Sequence, residues 1–583
     1  MKKIFLCIGL AISGLLVQAQ TANPKIQFNG MARGDMSHNW LSSDDTTNVD
    51  QSLGGAALID LHLDIRPSDA VRISSTLRVK NAIGGFWGQG ATLELREISI
   101  KGVAAKRIKY RFGDIDSRMT PYTLWNYDGE CDNNEAEVFR FIRAIRHQEN
   151  FNYGSYWRNQ GGDLSWRLGF DKGVESIDFT TFAMRNRSLD DGKTPDRLQA
   201  GGTMKFHITN SSQIGFNYIN LFDLPKTVSK TYYEKYSNGV GTSDFSFVFG
   251  KIRAFGELGF STINYVDTAD TKTIDTKGNF FEVGLELEYG LVGVYPHLDM
   301  LPPLNARVSF RRVNQNFFSA GAQSKRINYT SDVNVLPVVG TNSYNRTIAL
   351  LDLITDDAIY NQAISYGLMD YEMIFNNVTP YGKATPNRQG FDVALTYNAV
   401  DSTFDTDVEI QLLQDVAGQG SEKKKNYLLA QWKGNVYFDK IFGWNKSVSV
   451  TAGYQFASAS RDEDRVYKMS KELVKPVDLH SHTIDLGASV EVLNRVDVLV
   501  GTKMLFYKGT DYKAILNGFN ETVKYQCETY DGSQMLTAAG LRYRFNDNIS
   551  LTLQYDRFNL KDKNDDGNSY KINQAFLLFN ILF

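Results

Sequence analysis

Apolar and polar residues alternate along most of this chain with a period of two. Ile59, Leu61, Leu63 and Ile65 alternate with Asp60, His62, Asp64 and Arg66. After a turn at Pro67, Ser68 and Asp69, Val71, Ile73, Leu77 and Val79 alternate with Arg72, Ser74, Arg78 and Lys80. Phe281, Val283, Leu285, Leu287 and Tyr289 are spaced by Glu282, Gly284, Glu286 and Glu288, and Ile484 to Val492 repeats the pattern. A period of two puts each set on its own face of a strand. The predicted strands run roughly nine to twelve residues, the length a tilted strand needs to cross a bilayer and about twice that of a soluble sandwich strand.

The connections predicted between these strands alternate in length. Short ones include Arg66 to Ala70, Asn210 to Ser212, Lys251 to Ile252, Leu493 to Arg495 and Asn546 to Asn548. Long ones include Ser42 to Gln51, Asp223 to Gly241, Ala459 to Ser481 and Thr510 to Ser533. That rhythm describes an all-β, antiparallel up-and-down transmembrane barrel with short turns at one rim and longer loops at the other. The strand count comes to about 22, and boundary errors allow roughly 18 to 24. The phase slips at Arg96 and Glu97, which predicts a bulge. The stretch from Phe151 to Phe170 holds one strand or part of two.

The chain's start predicts its compartment. Lys2 and Lys3 precede an apolar run from Ile4 to Val17, and Val17, Gln18 and Ala19 end it as a signal peptidase site would. Residues 1–19 thus read as a signal peptide and 20–583 as the barrel. Cys7 falls within the apolar run, which argues against a lipid anchor. The two remaining cysteines, Cys131 and Cys527, form either one bridge or two free thiols. The first strand signal, from Ile26 to Ala32, leaves no room for an N-terminal plug or hatch, so any lumen filler comes from loops.

Composition removes alternatives. Mean hydropathy is −0.32 and no internal run approaches the ~20 apolar residues of a spanning helix. With 63 basic and 66 acidic residues, nucleic acid is not an expected partner. Only seven His occur, none in a nucleophile motif, so an enzyme is not expected. His62, between Asp60 and Asp64, is the best acid/base candidate, and a hydrated lumen residue is the plainer reading. His480 and His482 could offer a metal two imidazoles, but no third ligand accompanies them.

At the end of the chain Phe583, Ile581, Phe579, Leu577 and Ala575 share one apolar face. This strand resembles the C-terminal signature of bacterial outer-membrane porin-like barrels. The resemblance implies residence among outer-membrane lipids after processing near Ala19 and recognition by the assembly machinery.

Two loops are long enough to fill a wide lumen. The first spans about 117–160. Asn134 and Glu137 match a capping box, and a helix is predicted from Glu135 to His147, with Arg140, Arg143 and His147 on its polar side. The second spans about 317–389, with a helical centre from Ile348 to Phe375. These are expected either to fold inward as constriction elements or to cap the barrel mouth. By phase, Arg66, Arg72, Arg78, Lys80, Lys109 and Arg111 line the lumen on early strands. Glu282, Glu286, Glu288, Asp392, Glu409, Asp485 and Glu491 line it on later ones, and opposed charge would set a transverse field. Near the end, Asp562, Asn564, Asp566 and Asn568 have the spacing of a calcium loop, but position twelve is Asn573 where that motif supplies Glu, and a bare hairpin turn is the plainer reading. The leading expectation is a channel for small polar solutes without a cofactor. The alternative is a loop-plugged barrel serving as scaffold or subunit of an envelope complex, and homo-oligomer or envelope partners stay open.

Overall fold

The computed structural model describes residues 25–43, 51–83, 90–126, 135–149, 156–187, 195–224, 227, 234–267, 272–289, 304–324, 364, 368, 371, 373–399, 401–465, 473–516, 522–565, 567 and 569–583. Twenty-two strands form one antiparallel sheet, and a two-stranded ribbon stands apart from it. In chain order the barrel strands begin with β1 (Ile26–Ser43), β2 (Gln51–Ser68), β3 (Val71–Ala82), β4 (Thr92–Ala104), β5 (Ile108–Ser117) and β6 (Trp157–Gly169). They continue with β7 (Ser176–Arg187), β8 (Asp196–Thr209), β9 (Ser212–Leu224), β10 (Glu234–Phe249), β11 (Ile252–Asp267), β12 (Lys272–Tyr289) and β13 (Leu304–Val313). Next come β14 (Arg388–Asn398), β15 (Phe404–Gln414), β16 (Asn426–Tyr437) and β17 (Val448–Arg461). The ribbon is β18 (Asp464–Arg465) with β19 (Leu473–Val474), after which the barrel resumes with β20 (Val477–Leu493), β21 (Val496–Leu516), β22 (Thr522–Asn546), β23 (Ile549–Asp562) and β24 (Tyr570–Leu582).

Each barrel strand pairs with its neighbours in sequence, and β1 pairs with β24 from Met31↔Leu582 to Ser43↔Tyr570. The last residue completes the seam: Gly30 N–H donates to the Phe583 carbonyl at 2.8 Å, and Phe583 N–H to Gly30 O at 3.0 Å. Closure pairs the first strand with the last, as a strand-built membrane protein requires, while β4 pairs with β5 only from Ser99 to Ala104.

The alternation of the sequence becomes an inside and an outside. On β12 Phe281, Val283 and Leu285 are exposed while Glu282 is buried. On β11 Leu258 and Phe260 face out and Glu257 and Ser261 face in. The same holds on β14, with Phe391 and Val393 outside and Asp392 inside. So much contiguous exposed apolar surface fits hydrocarbon and not water. Among the described residues no helix is long and apolar enough to cross a membrane.

The bulge falls where the phase slips. Thr76 pairs with Glu97 and Leu77 with Leu95, so Arg96 is the extra residue. One strand, β6, occupies the region that sequence left between one and two. Three predicted long loops are shorter than expected. β9 ends at Leu224 and β10 starts at Glu234, so much of Asp223–Gly241 is strand. β17 and β20 take both ends of Ala459–Ser481. The stretch Thr510–Ser533 is mainly a hairpin, paired out to Ile515↔Lys524. Alternation fades in such extensions because both faces of a strand beyond the bilayer meet polar surroundings.

Candidate functional site

The described segments of both large loops enter the barrel. From the end of β5 the chain turns inward at Thr120–Thr123. Tyr122 stacks on Phe280 of β12 with ring centroids 3.9 Å apart, and its hydroxyl donates to Glu282 at 3.0 Å. The Thr120 hydroxyl donates to Glu257 at 2.6 Å. Burial pushes the Tyr122 phenol well above its ordinary range, so it remains a neutral donor to the carboxylate. Leu124 and Trp157 complete an apolar cluster with Ile115, Phe280 and Phe317.

The same loop then forms helix α1 (Glu137–Glu149), which lies against β20, β21 and β22. Its seat is made of glycine. A Cβ on Gly487 would stand 2.2 Å from Ala136 Cβ, and one on Gly501 would stand 2.6 Å from Val138 Cγ1. Only residues without a side chain let the helix approach the wall this closely. Ile142 packs on Phe576 and Leu578 of β24. Charges fix the orientation: Glu135 accepts from Arg143 at 2.8 Å and from Lys503 at 2.7 Å, while Glu137 accepts from Arg542 at 2.6 Å. Burial works against ionising Glu135, but Arg143 and Lys503 outweigh it and hold the carboxyl at about 2, below its ordinary 4.5.

The second loop contributes two described segments, 317–324 and 373–387. The first holds a one-turn helix, α2 (Ala320–Gln323), bound to the first loop. Trp157 Nε1 donates to Gly321 O at 3.0 Å, the Ser319 hydroxyl to Thr123 O at 3.0 Å, and Gln323 Nε2 to Ala384 O at 2.7 Å. The other segment is tied to the wall at several strands. Lys383 donates to Glu282 at 2.6 Å, Asn377 to Asp511 at 2.5 Å, and Thr379 to Gln411 at 3.2 Å. Burial depresses the Lys383 ammonium, with Glu282 opposing the shift. Arg388 closes the loop by donating to the carbonyls of Val378 (2.9 Å) and Asn377 (3.1 Å) and by pairing with Asp415 at 3.3 Å.

The residues predicted to line the lumen do not act as isolated charges. Arg72 pairs with Asp64 (2.7 Å), Arg78 with Asp60 (2.6 Å) and Arg111 with Asp163 (2.7 Å). Arg66 reaches Gln27 at 3.4 Å, Lys80 sits on β3, and Lys109 is exposed on β5. On the acidic side, Glu286 pairs with Arg253, Asp392 with Arg311 at 3.0 Å, Asp485 with Lys503, and Glu491 with Arg544 at 3.3 Å. Glu409 accepts from Gln411 (2.6 Å) and Gln431 (2.9 Å). Glu288 lies on β12 with its side chain outside the described residues. Most of these charges thus have a local partner of opposite sign. The residues that sequence reasoning missed include the compensating cations Arg253, Arg311, Lys383, Arg388, Lys503 and Arg544, and Arg307 beside them. Arg307, Ser309 and Arg311 share one face of β13, a phase that alternation alone could have revealed.

Other candidates also find places. Arg143 is buried against Glu135, Arg140 pairs with Glu137, and the side chain of His147 lies outside the described residues, as do Asn134 and most of Ile348–Phe375. His62 Nδ1 is 3.0 Å from the Thr76 hydroxyl, and its flanking carboxylates are held by Arg78 and Arg72. His480 and His482 are on β20 and not in a polar loop; His482 Nδ1 is 2.8 Å from the Tyr454 hydroxyl. Asp562 accepts the backbone N–H of Asn564 at 2.8 Å, and the Asn564 amide donates to Thr529 O at 2.8 Å. Asp566 and Asn568 lie outside the described residues, as does Cys131; Cys527 is a free thiol. Among the described residues no group of three or more His, Cys, Asp or Glu side chains converges as a metal site would.

Between the inward segments and the wall, at the long-connection rim, lies a chamber of about 570 Å³. Tyr236, Tyr265 and Tyr427 come from the wall, Tyr371 and Tyr381 from the second loop, and Tyr512 and Tyr525 from the β21–β22 hairpin. Its cations are Arg388, Lys425 and Lys513, and no carboxylate is among its described lining residues.

The closed sheet, apolar exterior and loop-filled lumen define a transmembrane β-barrel of porin-like architecture. No protein-family model matches the chain, and no curated protein does. Solved structures similar to it include the outer membrane channel DcaP of Acinetobacter baumannii, at 10% identity and TM-score 0.28, covering 96% of this chain and 97% of that one. OccK8 (OprE) of Pseudomonas aeruginosa is similar at 8% identity and TM-score 0.34, covering 96% and 98%. The ferric citrate transporter FecA is similar at 10% identity and TM-score 0.45, covering 95% of this chain and 78% of that one.

Proposed function

We propose that this protein is a loop-constricted outer-membrane channel that passes small polar solutes by facilitated diffusion. The observation that carries the reading is the inward course of the described segments of both long loops, which border a defined chamber at the long-connection rim. Charged pairs along the wall, such as Arg311–Asp392 and Lys383–Glu282, give the interior a polar but locally balanced lining. Such a lining favours neutral polar solutes over a strong ion preference. The apolar exterior supports residence among outer-membrane lipids, and the aromatic terminus at Phe583 fits recognition by the assembly machinery.

A second reading, a plugged barrel acting as scaffold in an envelope complex, is favoured by the firmness of the loop anchoring. Planar bilayers and liposomes separate the two. Purified protein is expected to give discrete single-channel steps and to let liposomes swell in small sugars and amides, with rates falling as solute size rises. Silence in both assays would remove the channel reading and leave the scaffold.

A further inference from the structure

The chamber's lining has a chemistry more particular than a polar passage requires. Its tyrosines come from three separate parts of the chain, and Phe317 and Phe318 add to them. Aromatic rings offer flat apolar faces with polar tips at the edge. Between them lie neutral amides, of which Gln315, Asn316 and Gln419 make no side-chain hydrogen bond among the described residues. An amide both donates and accepts, which a carboxylate or ammonium cannot do.

Two of the three lining cations are already paired. Arg388 stands over the Tyr427 ring at 3.7 Å and pairs with Asp415, which also accepts from the Tyr427 hydroxyl at 3.1 Å. Lys425 is buried against Asp511. Both carboxylates sit behind the lining, so these two cations present little net charge to a guest. Lys513 makes no ion pair among the described residues, and no described lining residue offers a cationic guest a carboxylate.

We infer that this chamber is a binding site for short neutral saccharides, an inference that rests on the channel reading for its role in transport but not for the binding itself. A pyranose ring has an apolar C–H face that lies on an aromatic ring and a rim of hydroxyls that both donate and accept. The partly buried Tyr371 and Tyr525, with the uncommitted amides of the lining, match both properties. The volume of about 570 Å³ is inside the ~300–1,000 Å³ range of small-molecule sites. Because the chamber is at the rim of the long connections, it meets solute before the interior does.

Calorimetry on the full-length protein in detergent tests the site, using an unbranched neutral glucose trisaccharide, a uronic-acid trisaccharide and a polyethylene glycol of equal mass. Saturable binding of the neutral trisaccharide is expected, at least tenfold tighter than the glycol. The double variant Tyr371→Ala, Tyr525→Ala is expected to weaken it tenfold or more. Both tyrosines are only partly buried, and heat-modifiable migration on gels confirms that the variant barrel is folded. Equal binding of trisaccharide and glycol overturns the inference. So does a uronic-acid trisaccharide that binds tenfold tighter than the neutral one and loses that advantage in Lys513→Gln. Single-channel recording keeps the two claims apart. A conducting protein that binds no saccharide refutes the site and keeps the channel, and a silent protein that binds it keeps the site and refutes the channel.

Discussion

At residue scale the side chains of β12 show how narrow the margin between inside and outside is. Leu285 is 52% exposed on the lipid face, and Glu286, one position along, accepts from Asn305 at 2.6 Å and pairs with Arg253. Placing Arg at 285 puts a charge against hydrocarbon and is expected to cost roughly 2–4 kcal/mol near the midplane. Glu286→Gln keeps the hydrogen bond from Asn305 and is expected to cost much less. Urea titration of protein folded into vesicles measures both, and equal losses at the two sites would mean that the assigned face is wrong. An Arg at 286 is a poorer control than alternation suggests, because it would stand against Arg253. That neighbour shows where sequence reading stopped. Phase told which side chains enter the lumen, but which of them meet depends on the register between strands, and one chain's periodicity does not contain it. Arg253 finds Glu286 because their positions are opposite in β11 and β12.

At the scale of elements, helix α1 was legible and its location was not. Its apolar spacing at Val138, Ile142 and Ile145 marks a helix with one face to bury, yet nothing in that spacing says whether the face meets the lumen wall or another loop. The answer lies far away, in Gly487 and Gly501, whose missing side chains make the seat. The extended hairpin of β21 and β22 was read as a loop for the opposite reason: with polar surroundings on both faces, alternation no longer marks a strand. For α1, electrostatics makes the docking sensitive to acid. Glu135 has its folded-state pKa depressed, so its contribution is fully present above about 4.5 and is lost as pH falls toward about 2. The amount is on the order of 3 kcal/mol for so buried a group. Pepsin, active across that window, reports it. Cleavage within 137–149 is expected to rise in wild type as pH drops from 4.5 to 2, while Glu135→Gln is already susceptible at pH 4.5 and changes less. A wild type and variant that respond identically would show that this carboxylate does not hold the helix.

At the scale of the whole molecule, the question is whether a barrel of this size is narrowed or sealed by what it contains. Twenty-two strands enclose a lumen that is wide enough to admit a plug, and an α-helix with its side chains occupies a cylinder about 10–12 Å across. Replacing 136–149 with a short Gly/Ser linker removes that cylinder and need not unfold the wall. Lys503 would lose the helix and still face Asp485, and Arg542 would lose Glu137 and keep Asp497 at 3.0 Å. No buried cation is left without a wall carboxylate, which is the condition under which such a deletion costs little. The described segment 373–387 of the second loop stays in place, since its ties run to Glu282, Gln411 and Asp511 and, among the described residues, none runs to α1. Single-channel conductance is therefore expected to rise at least about twofold in the deletion, if α1 borders the conducting path. An unchanged conductance would place the path elsewhere in the lumen. A wild type that is silent and a deletion that conducts would make α1 a gate or a seal, and would shift the reading from an open channel to a barrel that must be opened before anything passes.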